Sequence, residues 1–166
     1  MKNILGIAVV MLVLSQVSFS QNSASMTANA TATIVTGISC AHGTNSDLKF
    51  GTIISSASSG TVVVSPASAR AYTGGAILNG GAVTAAEFVV SGQASTAVTV
   101  TLPSSTVTIT SGANTMSVTA FTSDAGSTPA LSSGGVLTVK VGGTLGVAVS
   151  QAAGSYTGTF DVTFAY

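Results

Sequence analysis

The chain has 166 residues, of which 46% are hydrophobic and 5% are charged, and the 4 Lys and Arg residues balance the 4 Asp and Glu residues. Intrinsic disorder is excluded, because disorder requires low hydrophobicity and high net charge, and this chain has neither. Binding to nucleic acid is excluded as well, because phosphate neutralisation requires clustered Lys and Arg side chains. A chain of this length predicts one domain.

The first twenty residues have the organisation of a secretory signal peptide. Lys2 is followed by an apolar run of 11 residues (4–14), and Ser18 and Ser20 provide small residues at the −3 and −1 positions. A transmembrane anchor would need about 20 apolar residues. We therefore predict a signal peptide over 1–20, cleavage before Gln21, export through the periplasm to the cell surface or the medium, and no membrane span after cleavage.

Apolar residues alternate with Thr and Ser along most of the remaining chain. Such a period of two predicts strands that bury one face and expose the other, as antiparallel sheets do. In the first such run, Ala28, Ala30, Ala32 and Ile34 share one face. The later runs are 98–102, 107–109, 116–120, 137–141 and 145–149.

Clusters rich in Gly, Ser and Asn separate these runs and predict tight turns, because Gly and Asn accept positive φ. One of them, over 141–146, predicts a hairpin turn at Gly142 and Gly143. Many short strands with regular turns predict an all-β, immunoglobulin-like antiparallel β-sandwich with Greek-key connections. We expect a single domain over 21–166, in which 21–29 form an extended amino-terminal segment.

The scarcity of charge bears on function, because charged side chains usually protect edge strands from pairing with other molecules. A protein that assembles through strand edges would have this composition. The last eleven residues show the most regular alternation, and their aromatic and branched side chains form one row that predicts the last core strand of the sandwich. A strand that also mediates assembly is compatible with this pattern. The row contains Tyr156, Phe160, Val162, Phe164 and Tyr166.

No catalytic, metal-binding or cofactor-binding residue is predicted. His42 is the only histidine and no G-x-S-x-G motif accompanies it, while Cys40 and His42 alone cannot complete a four-coordinate metal site. The lone Cys40 is expected to be a small buried hydrophobe, with a cross-link between subunits as the alternative. The carboxylates are scattered singly, so we expect a protein that is not an enzyme.

Several segments, in order, resemble a bacterial secreted family known as domain of unknown function 4402. They are ATATIVTGI (30–38), DLKFGTI (47–53), GTVVVSP (60–66), EFVVSGQ (87–93), VTLPSS (100–105), MSVTAFTS (116–123) and QAAGSYTGTFDVTFAY (151–166). The resemblance implies a secreted, β-rich module and no established activity.

The carboxyl-terminal strand also resembles, more loosely, that of pilin-type and spore-coat U-like subunits. In chaperone–usher pilins the corresponding strand lines a groove that the neighbour's amino-terminal extension fills, which is a form of strand addition. The resemblance implies that residues 21–34 could serve as this extension, in a homo-oligomer or polymer with a periplasmic chaperone as a candidate partner. We therefore expect a fimbria-like or matrix-forming structural subunit, and the alternative is a monomeric carbohydrate- or surface-binding module.

Overall fold

The computed structural model describes residues 23–166, so the predicted signal peptide lies outside the described residues. The chain divides into two units, Met1–Thr33 and Ile34–Tyr166. In the first unit, the described residues 23–33 have no regular secondary structure and are exposed. All strands of the described residues lie in the second unit.

The described residues form strands and no helix, and every strand pairing is antiparallel, which confirms the prediction of an all-β antiparallel fold. The strands are β1 (Ser39–His42), β2 (Lys49–Phe50), β3 (Ile53–Ile54), β4 (Gly60–Val64), β5 (Arg70–Gly74), β6 (Ile77–Leu78), β7 (Val83–Thr84), β8 (Ala86–Ser91), β9 (Thr99–Thr101), β10 (Val107–Ser111), β11 (Asn114–Ser123), β12 (Val136–Val147) and β13 (Thr163–Ala165).

Seven strands form one large sheet in the order β1-β8-β12-β11-β10, with β4 beside β12 and β5 beside β4. Strand β12 is central, because its first half pairs with β8, its second half pairs with β4, and β11 also pairs with it. Three pairs of short strands complete the fold: β9 with β13, β2 with β7, and β3 with β6.

The predicted hairpin turn at Gly142 and Gly143 is wrong, because both glycines lie inside β12. A Cβ atom at Gly142 would collide with the carbonyl oxygen of Val64, where β4 ends and the chain turns away. A Cβ atom at Gly143 would lie 3.3 Å from Leu48 and 3.4 Å from Phe121. These glycines therefore allow close approach of neighbouring chain inside a strand.

One face of β12 supplies the middle of the core. Its side chains at Leu145 and Val147 pack with Val62 of β4 and Val118 of β11. Earlier in the strand, Val139 and Val141 pack with Val100 of β9. No polar or charged side chain is buried among the described residues, so the core is built from aliphatic side chains with partly buried aromatics around it.

The amino-terminal run behaves differently from its prediction as a strand. Residues 28–38 have no regular secondary structure, and the first strand begins at Ser39. Alanine side chains offer little apolar area, so alternation alone does not form a strand unless another strand provides hydrogen bonds.

Candidate assembly surfaces

The middle of the carboxyl-terminal row lies on the core side. Phe160, Val162 and Phe164 are half-buried and pack against the cluster of Val100, Val139 and Val141. The ring of Phe160 lies 4.9 Å from that of Phe121, between ring centroids. The intervening residues 157, 159, 161, 163 and 165 are exposed. Only Thr163–Ala165 pairs as a strand, with β9, so the regular strand is shorter than the alternation predicts.

Tyr166, at the end of the row, forms hydrogen bonds rather than core contacts. Its hydroxyl donates to the carbonyl oxygen of Thr36 at 3.1 Å and accepts from the backbone N–H of Gln93 at 2.5 Å. The N–H of Thr36 donates to the side-chain oxygen of Gln93 at 3.3 Å. Gly92 makes room for this arrangement, because a Cβ atom there would collide with the tyrosine hydroxyl. Tyr166 therefore holds residue 36 beside the loop that follows β8.

Tyr156, at the start of the row, has a local role. Its hydroxyl donates to the carbonyl oxygen of Ala152 at 2.7 Å and accepts from the amide of Gln151 at 2.8 Å. The same amide donates to the carbonyl oxygen of Thr115 at 3.1 Å. Tyr156 therefore stabilises the turn before the carboxyl-terminal segment.

The predicted residues of the amino-terminal run are all exposed. Ala28, Ala30 and Ala32 are exposed in the first unit, and Ile34 at the start of the second unit is 96% exposed. Val35 next to it is 61% exposed.

Three edge strands end the large sheet: β1, β10 and β5. Strands β1 and β10 contain no charged residue. Strand β5 contains Arg70, but its guanidinium donates to the carbonyl oxygens of Phe50 at 2.8 Å and Gly80 at 3.0 Å. The Arg70 side chain therefore stabilises the segments that contain Phe50 and Gly80, and it does not place a charge along the open edge of β5.

A groove opens beside the carboxyl-terminal segment. The chain pairs at Thr101 with Thr163 and again at Thr110 with Thr157. Between these points eight residues (102–109) lie opposite five (158–162), and the two stretches form no further strand pairing with each other. We call the resulting space, about 370 Å³, the carboxyl-terminal groove. Its lining includes Leu102, Pro103, Ser104, Val107, Thr159, Phe160 and Asp161.

The opposite face of the large sheet carries a row of small polar residues that crosses five strands. In register order the row is Thr108, Ser117, Gly146, Thr61 and Thr73. The Thr61 and Thr73 hydroxyls lie 2.7 Å apart. An open cleft of about 430 Å³ adjoins Gly146 and is also lined by Thr108, Ser117 and Gln151. No charged side chain lines this cleft.

The expectation of a buried Cys40 is wrong, because the residue is exposed on edge strand β1 with a free thiol. Partial burial nevertheless raises the pKa of the Cys40 thiol by desolvation. His42, on the same strand, lies 6.0 Å from the ring of Phe88, between ring centroids. Within residues 23–166, no three His, Cys, Asp or Glu side chains come close enough to hold a metal ion. The same part of the chain contains no helix with the length and apolarity to cross a membrane.

The arrangement at the two ends of the carboxyl-terminal row could not be predicted from the sequence. The contact of Tyr166 with Thr36 joins residues at opposite ends of the domain, and no local pattern reports it. The carboxyl-terminal groove depends on unequal chain lengths between two pairings, which only the registers reveal. Gly92 is the one local signal, because a glycine inside a strand pattern marks a close approach.

These observations define an all-β antiparallel domain whose candidate surfaces are strand edges and a groove, rather than a cluster of reactive side chains. The family model described as "Domain of unknown function (DUF4402)" matches residues 38–166, and the chain belongs to this family. No curated protein and no solved structure matches the chain.

Proposed function

We propose that this protein is a secreted or cell-surface structural subunit, fimbria-like or matrix-forming, whose copies assemble by pairing β-strands. The observation that carries the proposal is the lack of outward-facing charge on β1, β5 and β10 in the described sheet. Soluble β-proteins usually protect such edges with charged residues, proline or bulges. An assembling edge needs the opposite, because a charge there would be buried against the neighbour's backbone.

The exposed amino-terminal stretch also supports the proposal, because it could supply a strand to another copy. Residues 23–37 are exposed and lack regular structure, and their alternation suits a strand that buries only one face. In strand addition, backbone hydrogen bonds provide affinity and pockets for alternate side chains provide specificity. A segment of this kind would form its strand only when another chain pairs with it.

The proposed function includes a sandwich architecture and export of the chain. We propose an immunoglobulin-like sandwich with Greek-key connections, supported by the non-sequential neighbours of β12 and by the packing of β9 and β13 against its core face. Export with removal of residues 1–20 would deliver the subunit to the surface, and a periplasmic chaperone would protect its edges before assembly.

The test is the state of the purified mature chain. We expect light scattering to rise with protein concentration and negative-stain microscopy to show linear polymers. A variant with Thr31→Glu and Thr33→Glu should stay monomeric with an unchanged melting temperature, because the new charges lie in a segment without regular structure. The matched control, Thr128→Glu with Ser133→Glu, adds the same charge to exposed loops and should polymerise.

Two results would count against this function. A wild-type chain that stays monomeric at every concentration, with or without cell extract, rejects the subunit. Polymerisation of the Thr31 and Thr33 variant at the rate of its control shows that the amino-terminal segment is not the joint.

The second candidate function is a monomeric carbohydrate- or surface-binding module. The observation that favours it is the uncharged row of hydroxyl groups and the cleft of about 430 Å³ beside Gly146. Hydroxyl and amide groups can exchange hydrogen bonds with a neutral sugar. Binding of a glycan by the monomer, abolished by Ser117→Trp on β11 in the cleft but not by Thr138→Trp at an exposed position of β12 outside the cleft, would support this module.

A further inference from the structure

Strand β1 ends the large sheet and carries two side chains of metal-binding type, Cys40 and His42. We propose that these two residues form half of a tetrahedral zinc site, and that β1 of a second copy of this chain supplies the other half. The inference rests on the proposed pairing of strand edges, and it adds the edge, the register and the metal ion.

The ladder with β8 places both side chains on the same face of β1. Cys40 lies opposite Val90, which is buried in a core cluster, and His42 lies opposite Phe88, which packs against another. Residues directly opposite each other in an antiparallel pair share a face of the sheet. Both metal-binding side chains are nevertheless exposed, so a second copy can reach them.

The backbone of the same two residues is open to a further strand. The N–H of Gly43 donates to the carbonyl oxygen of Glu87 at 2.8 Å, which fixes the phase of the ladder between β1 and β8. Along an antiparallel pair, residues that bond to the partner strand alternate with residues that do not. Ala41 therefore bonds to β8, whereas the N–H and C=O groups of Cys40 and His42 point toward the open edge.

These backbone groups specify how a second copy pairs. About a two-fold axis at Ala41, Cys40 of each copy lies opposite His42 of the other, and every outward-pointing N–H and C=O of these residues bonds across the interface. The Cβ atoms of directly opposed residues are then about 4.5–5.5 Å apart. Two thiols and two imidazoles meet on one face, whereas residues 23–166 of a single copy bring no such group together.

The donor set selects the metal ion. Two thiolates and two imidazoles are a common ligand set of structural zinc sites, with zinc about 2.3 Å from sulfur and about 2.0–2.1 Å from nitrogen. Calcium and magnesium ions prefer oxygen ligands instead. Binding releases the two thiol protons to solvent, and the two thiolates then balance the charge of Zn²⁺.

Titration with Co²⁺, whose absorption reports its ligands, tests the site on the mature chain without a histidine tag. We expect the visible bands of a tetrahedral ion and a thiolate-to-metal charge-transfer band, both saturating at one ion per two chains. Cys40→Ser and His42→Gln should each weaken binding about a hundredfold or more, since they remove ligands rather than outer partners. Ser39→Ala, on the other face of β1, is the matched control and should bind as the wild type does.

The replaced side chains are exposed, so the melting temperature of each variant should stay that of the wild type and show that it is folded. Saturation at one ion per chain, or a spectrum without the thiolate band, would overturn the shared site. Wild-type affinity in either ligand variant would overturn it as well.

Sedimentation tests the pairing of two copies. At a protein concentration at which the metal-free chain is monomeric, Zn²⁺ should produce dimers that EDTA dissociates and a thiol-free reductant leaves intact. A dimer with the opposite behaviour would be a disulfide between two Cys40 residues and would overturn the zinc site.

Ala41→Cys tests the register, because residue 41 would lie opposite its own counterpart across the axis. With Zn²⁺ and a mild oxidant, this variant should form covalent dimers about tenfold or more faster than Ser39→Cys. The two copies of residue 39 would be offset by about 13 Å along the strands, too far for a disulfide. Equal rates for the two variants would overturn the register.

The zinc site and the proposed function fail separately. Polymers that form in a chain without any metal-dependent dimer would overturn the zinc site and leave the proposed function intact. A zinc-bridged dimer in a chain that forms no longer polymer would support the site and reject the fimbria-like or matrix-forming subunit.

Discussion

Thr36 is held by side chains where a strand residue would be held by a neighbouring backbone. Its carbonyl oxygen accepts from Tyr166, and its N–H donates to the side chain of Gln93. These two contacts fix the position from which the preceding, exposed residues of the second unit, Ile34 and Val35, extend. Tyr166 thereby acts as a positioning residue for the first residues of the second unit.

The first prediction concerns this contact. Tyr166→Phe removes the hydroxyl, and because the partners can bond to water instead, the free energy of unfolding should fall by only about 1 kcal/mol. Hydrogen exchange at the amides of Thr36 and Gln93 should become faster. Tyr72→Phe, at a tyrosine that is 53% exposed, should change neither. Unchanged exchange in the Tyr166 variant would contradict the contact.

A second residue-scale prediction follows from Gly142. In the Gly142→Ala variant, the new methyl group would collide with the carbonyl oxygen of Val64, a backbone atom that cannot rotate away. The expected cost is about 2 kcal/mol or more, seen as a lower midpoint in denaturant unfolding. Gly134→Ala is the control, because its Cβ would lie 3.7 Å from the nearest atom, an ordinary contact. Similar midpoints for the two variants would show that β4 does not pass so close to β12.

At the scale of elements, the carboxyl-terminal segment belongs to the core although only three of its residues form a strand. Phe160 contacts the ring of Phe121 and lies 6.4 Å, between ring centroids, from Phe88, so it connects β11 with β8. Phe160→Ala should therefore cost about 3 kcal/mol, a large part of the stability of a domain. Thermal unfolding should show a clearly lower midpoint.

Thr159→Ala is the matched control, because this neighbour is exposed and contributes no core contact. It should unfold within about 0.5 kcal/mol of the wild type. Equal destabilisation by the two substitutions would contradict the assignment of Phe160 to the core and of Thr159 to the surface.

The elements also show which features the sequence can predict. Alternation identifies β10 and β11, with the turn between them at Gly112, because each buries one face and the period of two is visible locally. It fails at β12, where Gly142 and Gly143 look like a turn but serve close packing against β4 and Phe121. It fails again at 28–35. A period of two indicates which face of a strand could be buried, but it does not indicate whether a partner strand is present.

At the scale of the whole molecule, electrostatics contributes little. Among the described residues there are two ion pairs, Lys49 with Asp47 at 3.5 Å and Lys140 with Glu87 at 3.9 Å. Surface pairs of this kind contribute about 0–1 kcal/mol each. Stability thus depends on the aliphatic core and the backbone hydrogen bonds.

The corresponding prediction is that stability is insensitive to salt. Between dilute buffer and about 0.5 M NaCl, the melting temperature should change by less than about 2 °C, because few charges are available to screen. Lys140→Met, which removes one ion pair, should show the same flat dependence. A shift larger than about 5 °C would reveal electrostatic interactions that these contacts do not account for.

The central place of β12 sets the order in which the chain can fold. Gly60 pairs with Val147 and Ser91 pairs with Val136. The pairing of β4 and β8 with β12 therefore cannot form until β12, which is synthesised much later, is available. Long-range pairings of this kind slow folding to milliseconds or seconds, since loop closure precedes any gain from contacts. A growing chain that has not yet reached residue 136 has no central strand on which to build its sheet. Local hairpins such as β10 with β11 can form earlier, but the seven-stranded sheet can close only after residues 136–147 have been synthesised.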